Sequence, residues 1–320
     1  MPDRLLIPRR LQPGDTIGLL APASAPPDWK RVEAGIAALE KLGFKTKLAR
    51  HAKARLGFLA GSDRDRAADL MSLFADKLVT AIMCLRGGYG SARLLDRLDY
   101  SVIRRNPKIF IGFSDITSLH CAFLNEAGLV SFHGPMVNSD FAEATLPPVA
   151  VNSFLRTLTQ PAPAGDIALG YRKRTVKTLR GGVTRGRLIG GNLSLLCTTL
   201  GTRWQPEFRG RLLFLEDLGE EPYRFDRMLT HLLNAGVLPQ VAGVAIGLNH
   251  NCEDPKRKRG GQYRQSLEDV MRERLLGLKV PVVAGLPFGH VPHNATLPIG
   301  LRAELDANAG RLSILEPAVV

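Results

Sequence analysis

Lys108-Ile109-Phe110-Ile111-Gly112-Phe113-Ser114-Asp115-Ile116-Thr117 is the stretch on which the reading of this chain turns. The apolar run 108–113 predicts a strand, and the pattern of residues 115–125 predicts a helix that begins at once. A serine therefore stands at a strand-to-helix corner. Such a nucleophile elbow projects a hydroxyl at the carboxyl end of a sheet. The usual motif has glycine two residues to either side of the serine. Gly112 fills the first position, but Ile116 replaces the second. The corner has a plainer reading too, with Ser114 as the N-cap of the helix from Asp115.

Outward from this corner, short apolar runs alternate with amphipathic stretches. Strands are predicted over 15–20, 45–49 and 79–85. Helices are predicted over 29–42 behind the N-cap Asp28, over 62–74 behind the N-cap Ser62, and over 91–98. Alternation of this kind argues for a mostly parallel sheet covered on both faces. The composition then shifts. Pro147-Pro148, Pro161-Ala162-Pro163-Ala164-Gly165, the basic Tyr171-Arg172-Lys173-Arg174 and Gly181-Gly182 read as a connection between units. Beyond it, strands are expected over 211–215, 241–248, 280–285, 295–299, 302–305 and 312–315, with helices over 223–234 and 266–275. The expected fold is α/β: an N-terminal, mostly parallel sheet domain bearing the elbow (1–160), a connection (161–182), and a smaller mixed α/β domain (183–320).

The 320 residues suffice for two such units, and 45% hydrophobic with 23% charged residues is an ordinary globular balance. No secretory leader is read at the N-terminus and no apolar run is long enough to span a membrane, so a cytoplasmic protein is expected. The four cysteines, Cys84, Cys121, Cys197 and Cys252, are scattered without a C-x-x-C pair, which suits a reducing compartment. A net charge of +13 raises the question of nucleic acid. The basic residues cluster only at 171–174 and at Lys256-Arg257-Lys258-Arg259, with Tyr171 and Tyr263 as the aromatics near them. That is too few for a stacking platform, and solvated basic loops are the expectation.

A serine attacks only when a base takes its proton, and the base needs an orienting carboxylate. Glu216 and Asp217 end the strand Leu212-Leu213-Phe214-Leu215. His290 lies in the Gly- and Pro-rich loop Gly285-Leu286-Pro287-Phe288-Gly289-His290-Val291-Pro292-His293 after another strand. His133, His250 and His293 compete for the base. His51, His120 and His231 have packing or surface readings. Arg86-Gly87-Gly88-Tyr89-Gly90 also follows a strand. Its N–H groups can form half of an oxyanion hole, with the amide after Ser114 as the other half. Its rival reading is a phosphate cradle on a non-catalytic binder. His290-x-x-His293 with Cys252 or Glu253 lacks any metal-ligand spacing.

Taken together, Leu85-Arg86-Gly87-Gly88-Tyr89-Gly90, Ile111-Gly112-Phe113-Ser114-Asp115, Gly190-Gly191-Asn192-Leu193, Phe214-Leu215-Glu216-Asp217 and Gly289-His290 resemble the LD-carboxypeptidases. These motifs are co-linear over nearly the whole chain. The resemblance implies Ser114 as nucleophile, His290 as general base, Glu216 as its orienting carboxylate, and the N–H groups of Gly88 and Asp115 as the oxyanion hole. It implies hydrolysis of the amide between an L-configured centre, diaminopimelate or Lys, and a terminal D-Ala in murein peptides. A homodimer, no metal or organic cofactor and a role in peptidoglycan recycling go with it. The related microcin C immunity peptidases act on aminoacyl-nucleotide conjugates, against whose nucleotide they place a tryptophan from the interdomain loop. Here residues 161–182 hold Tyr171 as their one aromatic, which leans toward the murein branch.

Overall fold

Two sheets, each with its own hydrophobic core, meet along the carboxyl ends of their parallel strands. In the first sheet β1 (Thr16–Leu20), β2 (Lys45–Leu48), β3 (Val79–Cys84), β4 (Ile109–Gly112) and β5 (Ser131–His133) run parallel. The second holds β6 (Pro163–Asp166), β7 (Lys177–Arg180), β8 (Val183–Asn192), β9 (Leu212–Glu216), β10 (Gly243–Gly247), β11 (Val282–Leu286), β13 (Arg302–Asp306) and β14 (Arg311–Pro317). Only β8 to β11 are parallel there; the flanking strands are antiparallel. The remaining strand, β12 (Leu297–Ile299), leaves the second half of the chain to pair antiparallel with β5 at the edge of the first sheet. This computed structural model describes residues 4–144, 146–171, 175–253 and 265–320. The basic runs Arg172–Lys173–Arg174 and 256–259, with Tyr263, lie outside the described residues.

Local chemistry sets the helices. Asp28 accepts from the Lys30 N–H at 2.9 Å to start α1 (Trp29–Lys41), and Ser62 accepts from the Asp65 N–H at 3.1 Å to start α2 (Asp63–Ala75). Asp99 caps the short α3 (Tyr100–Arg105) in the same way. The stretch 115–125 is not one helix. It is a 3-10 turn at Ser114–Ile116, α4 (Thr117–Ala122) and a π turn at Phe123–Ala127. Residues 91–97 are likewise a 3-10 helix. Pro147-Pro148 opens α5 (Pro148–Thr159), because proline is at home in the first turn, where its missing N–H costs nothing. The region 161–182, read as a connection, supplies β6 and β7, the two edge strands of the second sheet. Helices α6 (Leu193–Thr199), α7 (Pro222–Asn234) and α8 (Leu267–Leu275) complete it. No helix among the described residues is long and apolar enough to cross a membrane.

The weld between the sheets explains Gly190-Gly191-Asn192. Both glycines have φ near 140°, a region L side chains rarely adopt. A methyl on Gly190 would stand 1.8 Å from the Phe214 carbonyl oxygen, and one on Gly191 2.5 Å from Thr117 Oγ1. Thr117 Oγ1 then accepts from the Asn192 N–H at 3.0 Å. The end of β8 is thereby fixed against the start of α4, three residues past Ser114.

Candidate active site

Ser114 has φ of 64°, a left-handed conformation that is uncommon for a residue other than glycine. Its side chain is not an N-cap: the residue before the 3-10 turn is Phe113, and no side-chain capping bond is made there. A strained turn at the end of β4 is the geometry that lifts a serine hydroxyl off a sheet. Gly112 is needed for space, since a methyl on it would lie 3.1 Å from Ile116 Cγ1 and 3.2 Å from Cys84 Sγ. Ile116 thus packs over Gly112, filling the position where the usual motif has its second glycine. His120, buried in α4, joins the Gly112 carbonyl oxygen through Nε2 and Ser131 Oγ through Nδ1, both at 2.9 Å. It anchors the corner from beneath.

The loop after β3 lies directly over Ser114. A methyl on Gly87 would stand 3.1 Å from Ser114 Cβ and 3.3 Å from the Asp115 nitrogen. Gly88, at φ of 108°, is equally tight against Ser24, whose hydroxyl accepts from the Tyr89 N–H at 3.1 Å. The Asp115 carboxylate fastens this loop by accepting from the Ser91 N–H at 2.8 Å, while Ser91 Oγ donates to the Asp115 carbonyl at 2.5 Å. Burial raises the Asp115 pKa, against the opposing pull of Ser91 and Gly90 N–H groups and of Arg66. Arg66 is itself buried and donates to the carbonyls of Pro22 and Gly90 and to Asp63. The N-terminus of the 91–97 helix is therefore already given to Asp115, which occupies the place where a phosphate cradle needs open N–H groups.

His290 and Glu216 come together from different strands. His290 Nδ1 lies 2.7 Å from Glu216 Oε2, and Glu216 is 0% exposed. Gly289 permits this approach: a methyl on it would be 2.8 Å from both Cβ and Oε2 of Glu216. The Phe113 ring packs edge-on against the imidazole with centroids 4.9 Å apart. Asp217 faces elsewhere. It accepts from Asn192 Nδ2 at 2.9 Å, from Ser194 N–H at 2.9 Å and from Ser194 Oγ at 2.8 Å. Adjacent residues at a strand end point to opposite sides, so one carboxylate serves the histidine and its neighbour braces α6.

Ser114, Gly88 and His290 line one cavity of about 430 Å³, together with Arg86, Asn192 and Glu220. The Ser114 hydroxyl makes no hydrogen bond among the described residues, and unliganded sites often tighten such contacts only with substrate present. Of the competing histidines, His133 is buried between Phe113, Phe214 and Phe288 with neither ring nitrogen bonded. His250 lines a second cavity of about 460 Å³, which shares Phe113, Ser139 and His290 with the first. His293 packs its ring on Tyr171 at 5.3 Å. Among the described residues no three His, Cys, Asp or Glu side chains converge as a metal site. All four cysteines are free.

The family profile described as the LD-carboxypeptidase N-terminal domain matches residues 17–134, and the one described as the LD-carboxypeptidase C-terminal domain matches residues 185–305. The chain belongs to the LD-carboxypeptidase family. It is a serine-type peptidase. A Bacillus subtilis protein named "Probable murein peptide carboxypeptidase" is 39% identical over 98% of this chain and 95% of its own length. The crystal structure of muramoyltetrapeptide carboxypeptidase from Oxalobacter formigenes superimposes with a TM-score of 0.79 at 32% identity, covering 94% and 99% of the two chains. The microcin C7 self-immunity protein MccF gives a TM-score of 0.87 at 28% identity, over 98% of this chain and all of that one.

One property of this LD-carboxypeptidase site bears on its pH dependence. Burial disfavours the charged form of His290, but the Glu216 hydrogen bond and charge, with the charges of Asp217 and Asp140, outweigh it and raise the pKa above the ordinary 6.5. A histidine acting as base must be neutral, so with His290 in that role activity is expected to fall as pH drops through the raised value. The acid limb of kcat/KM is expected to have its midpoint above 6.5. In Glu216→Gln, with only burial and the weaker charges left, the midpoint moves down. A rate profile from pH 5 to 9 on both proteins checks this, and an unmoved limb would assign the titration to another group.

Proposed function

We propose that this LD-carboxypeptidase removes the terminal D-Ala from murein tetrapeptides by acyl transfer. One observation carries the reading: the strained Ser114 opens into the same cavity as an imidazole held by a fully buried carboxylate. His290 takes the Ser114 proton as the hydroxyl attacks the carbonyl carbon of the scissile amide. The N–H groups of Gly88 and Asp115 take the oxyanion, and losing one such donor typically costs about 10²–10³ in rate. Return of the proton from His290 to the leaving nitrogen frees the D-amino acid. Water then attacks the acyl-enzyme by the same steps, with His290 again the base. The reading includes a division at 1–160, 161–182 and 183–320, a homodimer, and cytoplasmic peptidoglycan recycling.

The complexes of the microcin immunity protein with glutamyl sulfamoyl guanosine and aspartyl sulfamoyl adenosine suggest the rival substrate, an aminoacyl-nucleotide conjugate. Against it stands the aromatic content of residues 161–182. Tyr171 is held there by His293 and by a 2.9 Å bond between its hydroxyl and Thr175 Oγ1. The two tryptophans lie elsewhere, Trp29 at the start of α1 and Trp204 beside the first core. Incubation with a murein tetrapeptide is expected to release D-Ala, detected by mass spectrometry. An intact tetrapeptide alongside a cleaved aminoacyl sulfamoyl nucleoside would reverse the choice.

A further inference from the structure

Arg86 is the one Arg or Lys lining the Ser114 cavity among the described residues, and no carboxylate among them pairs with it. Its guanidinium makes one long contact, from Nη1 to the Ala25 carbonyl oxygen at 3.4 Å. The other terminal nitrogen lies close to the Gly88 backbone: a methyl on Gly88 would stand 3.4 Å from Nη2. A half-buried cation without a partner, turned toward a substrate cavity, is normally kept for an anion on the ligand. Position identifies that anion. With the scissile oxygen on the Gly88 and Asp115 N–H groups, the leaving nitrogen is bonded to the same carbon. The carboxylate of a C-terminal residue then begins only two bonds beyond that nitrogen. It therefore falls within a few ångströms of Gly88, where the guanidinium is. The other ionisable groups lining the cavity, Asp217, Glu220 and His290, include no second permanent cation.

We propose that Arg86 grips the terminal carboxylate of the substrate and so confines cleavage to the last peptide bond. This rests on the carboxypeptidase reading above. The planar fork of an Arg matches a carboxylate with two parallel bonds, which fixes the direction of the leaving residue as well as attracting it. The test compares kcat/KM for a murein tetrapeptide ending in D-Ala with that for the same peptide ending in D-alaninamide. The wild type is expected to prefer the free acid by about 10²-fold, the scale on which truncating one partner of a hydrogen-bonded charge pair acts. Arg86→Gln should slow the acid by that factor, leave the amide nearly unchanged, and so abolish the preference. Arg86→Lys, which keeps the charge without the fork, should retain about a tenth of it and carries the same test should the Gln variant not fold. Equal losses on both substrates would mean that Arg86 only props the loop through Ala25, and the proposal would be wrong while the function stood. Cleavage of neither substrate by the wild type would overturn the function and this inference with it.

Discussion

Ser114→Ala is expected to lower kcat by about 10⁶-fold, the scale seen when a serine-protease nucleophile is removed, while the fold survives. The hydroxyl makes no hydrogen bond among the described residues, so deleting it breaks nothing that holds the corner. Alanine at φ of 64° inherits the same backbone strain, so stability should change little in either direction. Turnover of tetrapeptide and far-ultraviolet circular dichroism, measured on one preparation, check both halves. A folded Ser114→Ala protein with unchanged turnover would remove the acyl-enzyme route altogether.

The second large effect separates two neighbouring carboxylates. Glu216→Gln should cost about 10⁴ in kcat, the scale observed when an orienting carboxylate becomes an amide and the histidine is left in the wrong tautomer. Glu216 Oε2 is the partner of His290 Nδ1, whereas Oε1 is buried without one. A glutamine that turns its NH₂ toward the ring meets an N–H where it needs an acceptor. Asp217→Asn acts on different chemistry. Asp217 accepts from Ser194, Asn192 and the Leu218 N–H, so an amide there leaves donors facing donors. It should lower stability by about 1–3 kcal/mol and reduce kcat far less than Glu216→Gln does. Urea denaturation and kinetics on both variants resolve the pair. A larger loss of kcat in Asp217→Asn than in Glu216→Gln would exchange their roles.

How much of this was legible in the chain depends on distance along it. Asp28 and Ser62 announce their helices because a cap is a local bond over two or three residues. The corner at Ser114 is visible for the same reason, as strand, serine and helical pattern are contiguous. His290 and Glu216, 74 positions apart, could be paired only through family resemblance, since nothing in either segment names the other. The support beneath the loop was not legible at all. The sequence marks Asp115 for its N–H, whereas in the fold its side chain holds Ser91. Arg66, in the first turn of α2, turns inward to the carbonyls of Pro22 and Gly90. Three-residue β5 is too short to show a period in the sequence. Residues 161–182 read as a connection because their prolines and glycines hide β6 and β7 at the two edges, where a sheet tolerates such residues.

The strand β12 has a consequence for how the molecule is made. His133 of β5 pairs with Leu297, so 164 residues must be synthesised after the first edge of that pair before its partner exists. At ribosomal rates of about 5–20 residues per second, that edge waits for roughly 10–30 s. Throughout this interval the nascent chain carries an unpaired row of N–H and C=O groups beside apolar Phe132, a template for pairing with a neighbouring chain. The profile match to the N-terminal unit stops at residue 134, before that strand. The N-terminal half is thus finished by the C-terminal one, and its exposure to mispairing during translation falls in the time between them.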